Sequence, residues 1–134
     1  MLRWTSTVSR AVVELLGDDL VISQPQIRPL PLHRTAALLH HVGLYVALGH
    51  VHEILYVGMT DRFHTPSAIG ARLGEHLSEP EKRDTWLSVV ELPLREDLER
   101  HEVARHETRV GVLLGRPGGH RRGGGKREGT TPRL

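Results

Sequence analysis

A chain of 134 residues, 38% apolar and 25% charged, has room for one domain with a modest core rather than two. It contains no cysteine, which removes disulfides and thiolate metal sites. The net charge of +2 is uneven: from Gly115 onward six basic residues face one acid, a net of +5 that leaves −3 for residues 1–114. Anion binding by the larger part therefore needs locally focused arginines rather than a basic surface. Arginine outnumbers lysine sixteen to two; this suits bidentate phosphate contact, and GC-rich coding produces the same bias. The apolar stretch Ala11-Val12-Val13-Glu14-Leu15-Leu16 is short and broken by a carboxylate. Neither a signal peptide nor a membrane span is expected, and a cytoplasmic protein is the default expectation.

In chain order, residues 3–16 read as an amphipathic helix: Val8, Val12, Leu15 and Leu16 recur at helical spacing, and Gly17-Asp18-Asp19 stops the run. Pro25, Pro29 and Pro31 make residues 20–32 an extended connector. A short helix at 33–41 then leads into the first strand, 42–48, which a turn at 49–52 joins to a return strand at 53–57. A polar loop runs from Met59 to Pro66. Ser67 caps a helix over 68–77 with Ile69, Leu73 and Leu77 on its buried face. A third strand is expected at 86–92, ended by Pro93, followed by a long helix over 95–114 with Val103, Val110 and Leu114 on one stripe. Gly and Arg dominate the end, so 121–134 reads as a disordered tail, after an N-terminal helical extension (1–41) and a central domain (42–120).

The chemistry-bearing residues fall in a distinctive order. Gly43-Leu44-Tyr45 opens one apolar run and Tyr56-Val57-Gly58 closes the next; Arg72 and His76 follow at a spacing of one helical turn, then Glu107, then Pro117. Over roughly residues 42–120 this resembles the GIY-YIG nuclease family, and Arg-x-x-x-His resembles its restriction-enzyme branch. The resemblance implies an α+β fold, a small three-stranded antiparallel sheet flanked by helices in the order β-β-α-β-α. It also implies metal-dependent hydrolysis of DNA phosphodiesters to 5′-phosphate products.

By that resemblance, Tyr45 deprotonates or orients the attacking water, and Tyr56 orients water or phosphate. Arg72 clamps the scissile phosphate, and His76 orients the tyrosine or shuttles a proton near neutral pH. Phenol ionises near pH 10, so Tyr45 needs positive charge nearby to act as a base. Glu107 is the expected ligand for Mg²⁺ (or Mn²⁺), beside the apolar stripe and ten residues before Pro117; Glu102 competes for the role. Gly58, His120, Arg121 and Arg122 are the expected substrate contacts. Met59 stands where many members have lysine, and His120 where members usually have asparagine. These departures motivate an alternative: a degenerate domain that binds nucleic acid without cutting. Without a resemblance, two half-buried sheet tyrosines would be ordinary packing. A homodimer or a partner protein is expected to supply specificity for DNA.

Ten histidines also invite a zinc reading. His101 and His106, five residues apart, sit about 140° apart around a helix, and His50-x-His52 has no third ligand in view. His40, His41 and His64 read as surface or loop residues.

Overall fold

Thr5 starts the first helix. Its extended backbone and its Oγ1, which accepts the Val8 N–H at 3.2 Å, cap α1 (Ser6–Leu16). The computed structural model describes residues 2–30, 41–61 and 68–117, with backbone alone at 61 and 68–71. The helix begins later than the periodicity predicts because Leu2, Arg3 and Trp4 lie along the hairpin: Trp4 N–H donates to His52 O (2.8 Å) and Ile54 N–H to Leu2 O (2.9 Å). Val12 and Leu16 bury the apolar face. Gly17, at φ 58°, ends the helix in a conformation that favours glycine, and a 3-10 turn over Gly17–Asp19 follows.

The sheet has four strands, not the expected three. Part of the proline-rich connector forms β1 (Ile27–Pro29), antiparallel to β4 (Ser88–Pro93), with Ile27 opposite Val90 and Pro29 opposite Ser88. Pro25 and Pro29 favour an extended segment here, and an edge strand tolerates a residue without an N–H. The strand order is β1-β4-β2-β3, with β2 (Val42–Leu48) central and all seven of its residues buried. The return strand, β3 (Ile54–Asp61), runs beyond the predicted Val57, because Gly43 and Val42 still pair with Thr60 and Asp61. The turn between them is where the sequence predicts it: His52 N–H donates to Gly49 O (3.1 Å), Gly49 N–H to Glu53 O (2.9 Å), and His52 takes φ 63°.

Helix α2 (Ala68–Leu77) has the predicted bounds; Ser67, its expected cap, and the helix expected at 33–41 lie outside the described residues apart from His41, a bend. A short α3 (Pro80–Thr85), absent from the sequence reading, starts with Pro80 in its first turn, where proline's missing N–H costs nothing. Its last turn delays β4 by two residues, since Trp86 N–H still bonds Lys82 O.

The last helix, α4 (Arg100–Leu113), is shorter than predicted. Arg95 N–H is drawn to Asp19 O (2.9 Å), and helix begins only where Glu99 and Glu102 form a reciprocal capping box.

Alternation along β2 divides the interior. Val42, Leu44, Val46 and Leu48 pack with Trp4, Val12 and Leu16 from the N-terminal segment and with Val103 and Val110 from α4. Tyr45 and Ala47 point to the opposite face, with Leu73 of α2, Trp86 and Val89. Trp4, Val12, Leu16 and Leu20 of the N-terminal segment share the main core.

Candidate active site

Tyr45 and Tyr56 come from neighbouring strands and share one face. Tyr45 lies opposite Gly58 and Tyr56 opposite Ala47, so the tyrosines are diagonal neighbours with near-parallel rings, centroids 6.2 Å apart and planes at 15°. Gly58 makes this possible. A Cβ built there would overlap Tyr45 Oη and Cζ, so the Tyr45 ring lies directly across the glycine. The second motif's glycine thus gives its space to the first motif's tyrosine.

α2 lies over this face. His76, one turn after Arg72, brings Nε2 to 3.0 Å from Tyr45 Oη, and its ring packs edge-on against Tyr56 at 4.8 Å. Trp86 closes the far side at 5.0 Å from the imidazole and 4.9 Å from the Tyr56 ring. Arg72 reaches the same hydroxyl, and its Nη1 pairs with Glu75 Oε1 at 2.9 Å. Tyr45 is completely buried, and Tyr56 is the partly exposed member.

Burial governs the electrostatics. It pushes the Tyr45 phenol well above its usual value; Tyr56 adds to this, Arg72 opposes it by charge and hydrogen bond, and Glu107 adds a weaker push. Arg72 alone does not overcome desolvation, so Tyr45 carries its proton at neutral pH. His76 goes the opposite way: burial first, then the charges of Lys82 and Arg72, lower its imidazole from 6.5 to about 3, against a small opposing effect of Glu75. It is neutral at pH 7, its titration moved well below the neutral range where an ordinary histidine changes charge. Burial disfavours the Arg72 cation, but Tyr45, Glu75 and Tyr56 more than offset it and hold the guanidinium charged.

The two candidate carboxylates on α4 part company. Glu102 takes a structural job: its Oε1 accepts the Glu99 N–H at 2.9 Å in the capping box. Glu107 is buried, 4% exposed, on the stripe with Val103 and Val110, and is among the charges felt by Tyr45. A carboxylate is the kind of oxygen donor that a hard divalent cation takes. No group of three His, Asp or Glu side chains able to hold a metal occurs among the described residues. His101 is exposed beside Glu99, whereas His106 is buried against Asp19 (2.8 Å), so the two face apart as helix geometry predicts. Asp19 also pairs with Arg95 at 3.2 Å, tying the end of α1 to α4.

His120, Arg121 and Arg122, the other expected substrate contacts, lie outside the described residues, as does the tail from 118 onward. Sequence reading missed Lys82 and Trp86. Pro80 signals the helix that carries Lys82, but no local pattern signals that its ammonium meets His76, at 2.7 Å from Nδ1. No helix among the described residues is long and apolar enough to cross a membrane. Compared with family models, curated proteins and solved structures, the chain finds no match.

Proposed function

We propose that this chain is a metal-dependent DNA endonuclease of the GIY-YIG type, hydrolysing phosphodiesters to 5′-phosphate products. The observation that carries the reading is the gathering of a guanidinium and an imidazole around one tyrosine hydroxyl, from residues 27 and 31 positions further along the chain, with the second motif's tyrosine stacked beside it. Tyrosines that merely pack a sheet have no need of that company.

In this reading Arg72, with 37% of its side chain exposed, holds the scissile phosphate and opposes the charge that builds on its oxygens. Tyr56, at the exposed edge of the cluster, orients water or phosphate. Tyr45, protonated at rest, directs the attacking water through its hydroxyl, and His76 fixes where that hydroxyl points. Glu107 would hold Mg²⁺ or Mn²⁺, a role open to a single carboxylate because Mg²⁺ keeps several waters. Such a cation supplies charge for the phosphoryl oxygens and an activated water. DNA is the substrate, and a second copy or a partner protein supplies sequence specificity.

A second reading, nucleic-acid binding without cleavage, is favoured by the complete burial of Tyr45 and by Met59, where many GIY-YIG members carry a lysine.

Supercoiled plasmid with and without Mg²⁺ or Mn²⁺ separates the readings. Metal-dependent nicking is expected, abolished by Glu107→Ala and reduced at least about 100-fold by Arg72→Ala, while Glu102→Ala loses only helix capping. A gel shift without nicking favours the second reading. Absence of both removes the two together.

A further inference from the structure

Lys82 is one of two lysines in the chain and lies outside every motif that pointed to the site. Its Nζ stands 2.7 Å from His76 Nδ1, 5.1 Å from the centre of the Tyr56 ring and 5.4 Å from that of Trp86. Glu79 holds it from behind at 3.5 Å. These contacts converge on a side chain from a six-residue helix that makes no contact with Tyr45 of its own among the hydrogen bonds and ring contacts of the cluster.

The chemistry of the donors decides what this contact does. A lysine ammonium has three donors and no acceptor. Nδ1 of His76 must therefore accept, which leaves it without a proton. In a neutral imidazole the proton then resides on Nε2, the atom 3.0 Å from Tyr45 Oη. His76 thus donates to Tyr45 and cannot take a proton from it while Lys82 is in place. The Tyr45 oxygen receives an N–H from His76 and a second from Arg72, which favours negative charge on that oxygen against the burial that opposes it.

We propose that Lys82 is a positioning residue of the candidate active site, fixing His76 as the Nε2–H tautomer so that the imidazole serves Tyr45 as a hydrogen-bond donor and never as its base. The inference rests on the nuclease reading for its effect on cleavage, and on the Lys82–His76–Tyr45 geometry for everything else. Lys82 sets the tautomer as the partner of a site histidine commonly does, here with a cation in place of the usual carboxylate or carbonyl. The titratable and charged groups around the imidazole are Tyr45 from β2, Tyr56 from β3, Arg72 and Glu75 from its own helix, and Lys82 from α3, itself paired with Glu79.

Nitrogen-15 NMR of the 134-residue chain with labelled histidine, the His76 signals assigned with a His76→Gln variant, reads the tautomer directly. At pH 7 the wild type is expected to show Nε2 protonated and Nδ1 bare. Lys82→Met keeps the apolar stem against Tyr56 and Trp86 but removes the donor. It should admit the Nδ1–H tautomer and move the imidazole pKa upward toward 6.5, while Lys82→Arg, which still donates, restores the wild-type spectrum. In plasmid cleavage Lys82→Met should lower kcat about 10-fold or more with KM little changed, and Lys82→Arg should recover most of it. A wild-type spectrum with Nδ1 protonated overturns the assignment without any variant. So does a His76 tautomer and pKa unmoved in folded Lys82→Met. If wild type does not cut DNA at all, the nuclease reading fails, and the spectra still decide the role of Lys82.

Discussion

Tyr45 and His76 are each displaced from their ordinary ionisation, and in opposite directions, by the same burial. For His76 the sign is clear. Its folded pKa, about 3, lies below the unfolded 6.5, so the unfolded chain binds more protons in between. Stability due to this site is present above about pH 6.5 and is lost as pH falls toward 3. After allowance for solvent screening the loss is roughly 2 to 3 kcal/mol. Urea denaturation at pH 7 and pH 4 should show that loss in the wild type and a smaller one in His76→Gln. An equal loss in both would place the acid sensitivity elsewhere. Tyr45→Phe keeps the ring and removes the hydroxyl, so the fold should survive while cleavage falls sharply; undiminished cutting would reduce Tyr45 to sheet packing. The two tyrosines, Arg72, His76 and Glu107 were legible in the sequence as an ordered set. Lys82 was not, because its partner is six residues away on a different helix and the turn between them is invisible to periodicity.

At the scale of elements, β2 and β3 position the site through register. The pairing of Tyr45 with Gly58 and of Ala47 with Tyr56 gives the first tyrosine a glycine to lie across and brings the second beside it. Gly58→Ala should force the Tyr45 ring to move, at a cost of about 1 to 3 kcal/mol, and should break the bond to His76. The expected result is a folded protein with altered near-ultraviolet circular dichroism and little cutting. Wild-type activity in Gly58→Ala would show that the ring has room to spare. The hairpin and α2 were readable from alternation and from the i, i+4 spacing of Leu73 and Leu77. The starts of β4 and α4 were not: Trp86 N–H still bonds Lys82 O at the end of a helix that periodicity does not show, and Arg95 N–H is drawn to Asp19 O from a distant segment.

Across the whole molecule, the N-terminal segment is part of the core. Trp4, Val12, Leu16 and Leu20 bury against the strands and α4, and the Asp19 carboxylate ties α1's end to His106 and Arg95. Leu16→Ala, at a side chain only 2% exposed, should cost about 2 to 4 kcal/mol in urea denaturation. A cost under about 0.5 kcal/mol, the size of an ordinary surface change, would mean that α1 is an appendage. The sequence by itself determined the α+β class, the order of the central strands with α2 and α4, and the identity of Tyr45, Tyr56, Arg72 and His76, which meet on one sheet face. Those follow from local periodicity, turn chemistry and residue type. Only the tertiary structure decided that a proline-rich connector becomes a fourth strand, that Glu102 caps a helix while Glu107 is buried, and that Lys82 meets His76. Each of these depends on which distant groups supply the missing hydrogen-bond partner or exclude water, and a local pattern carries no information about either.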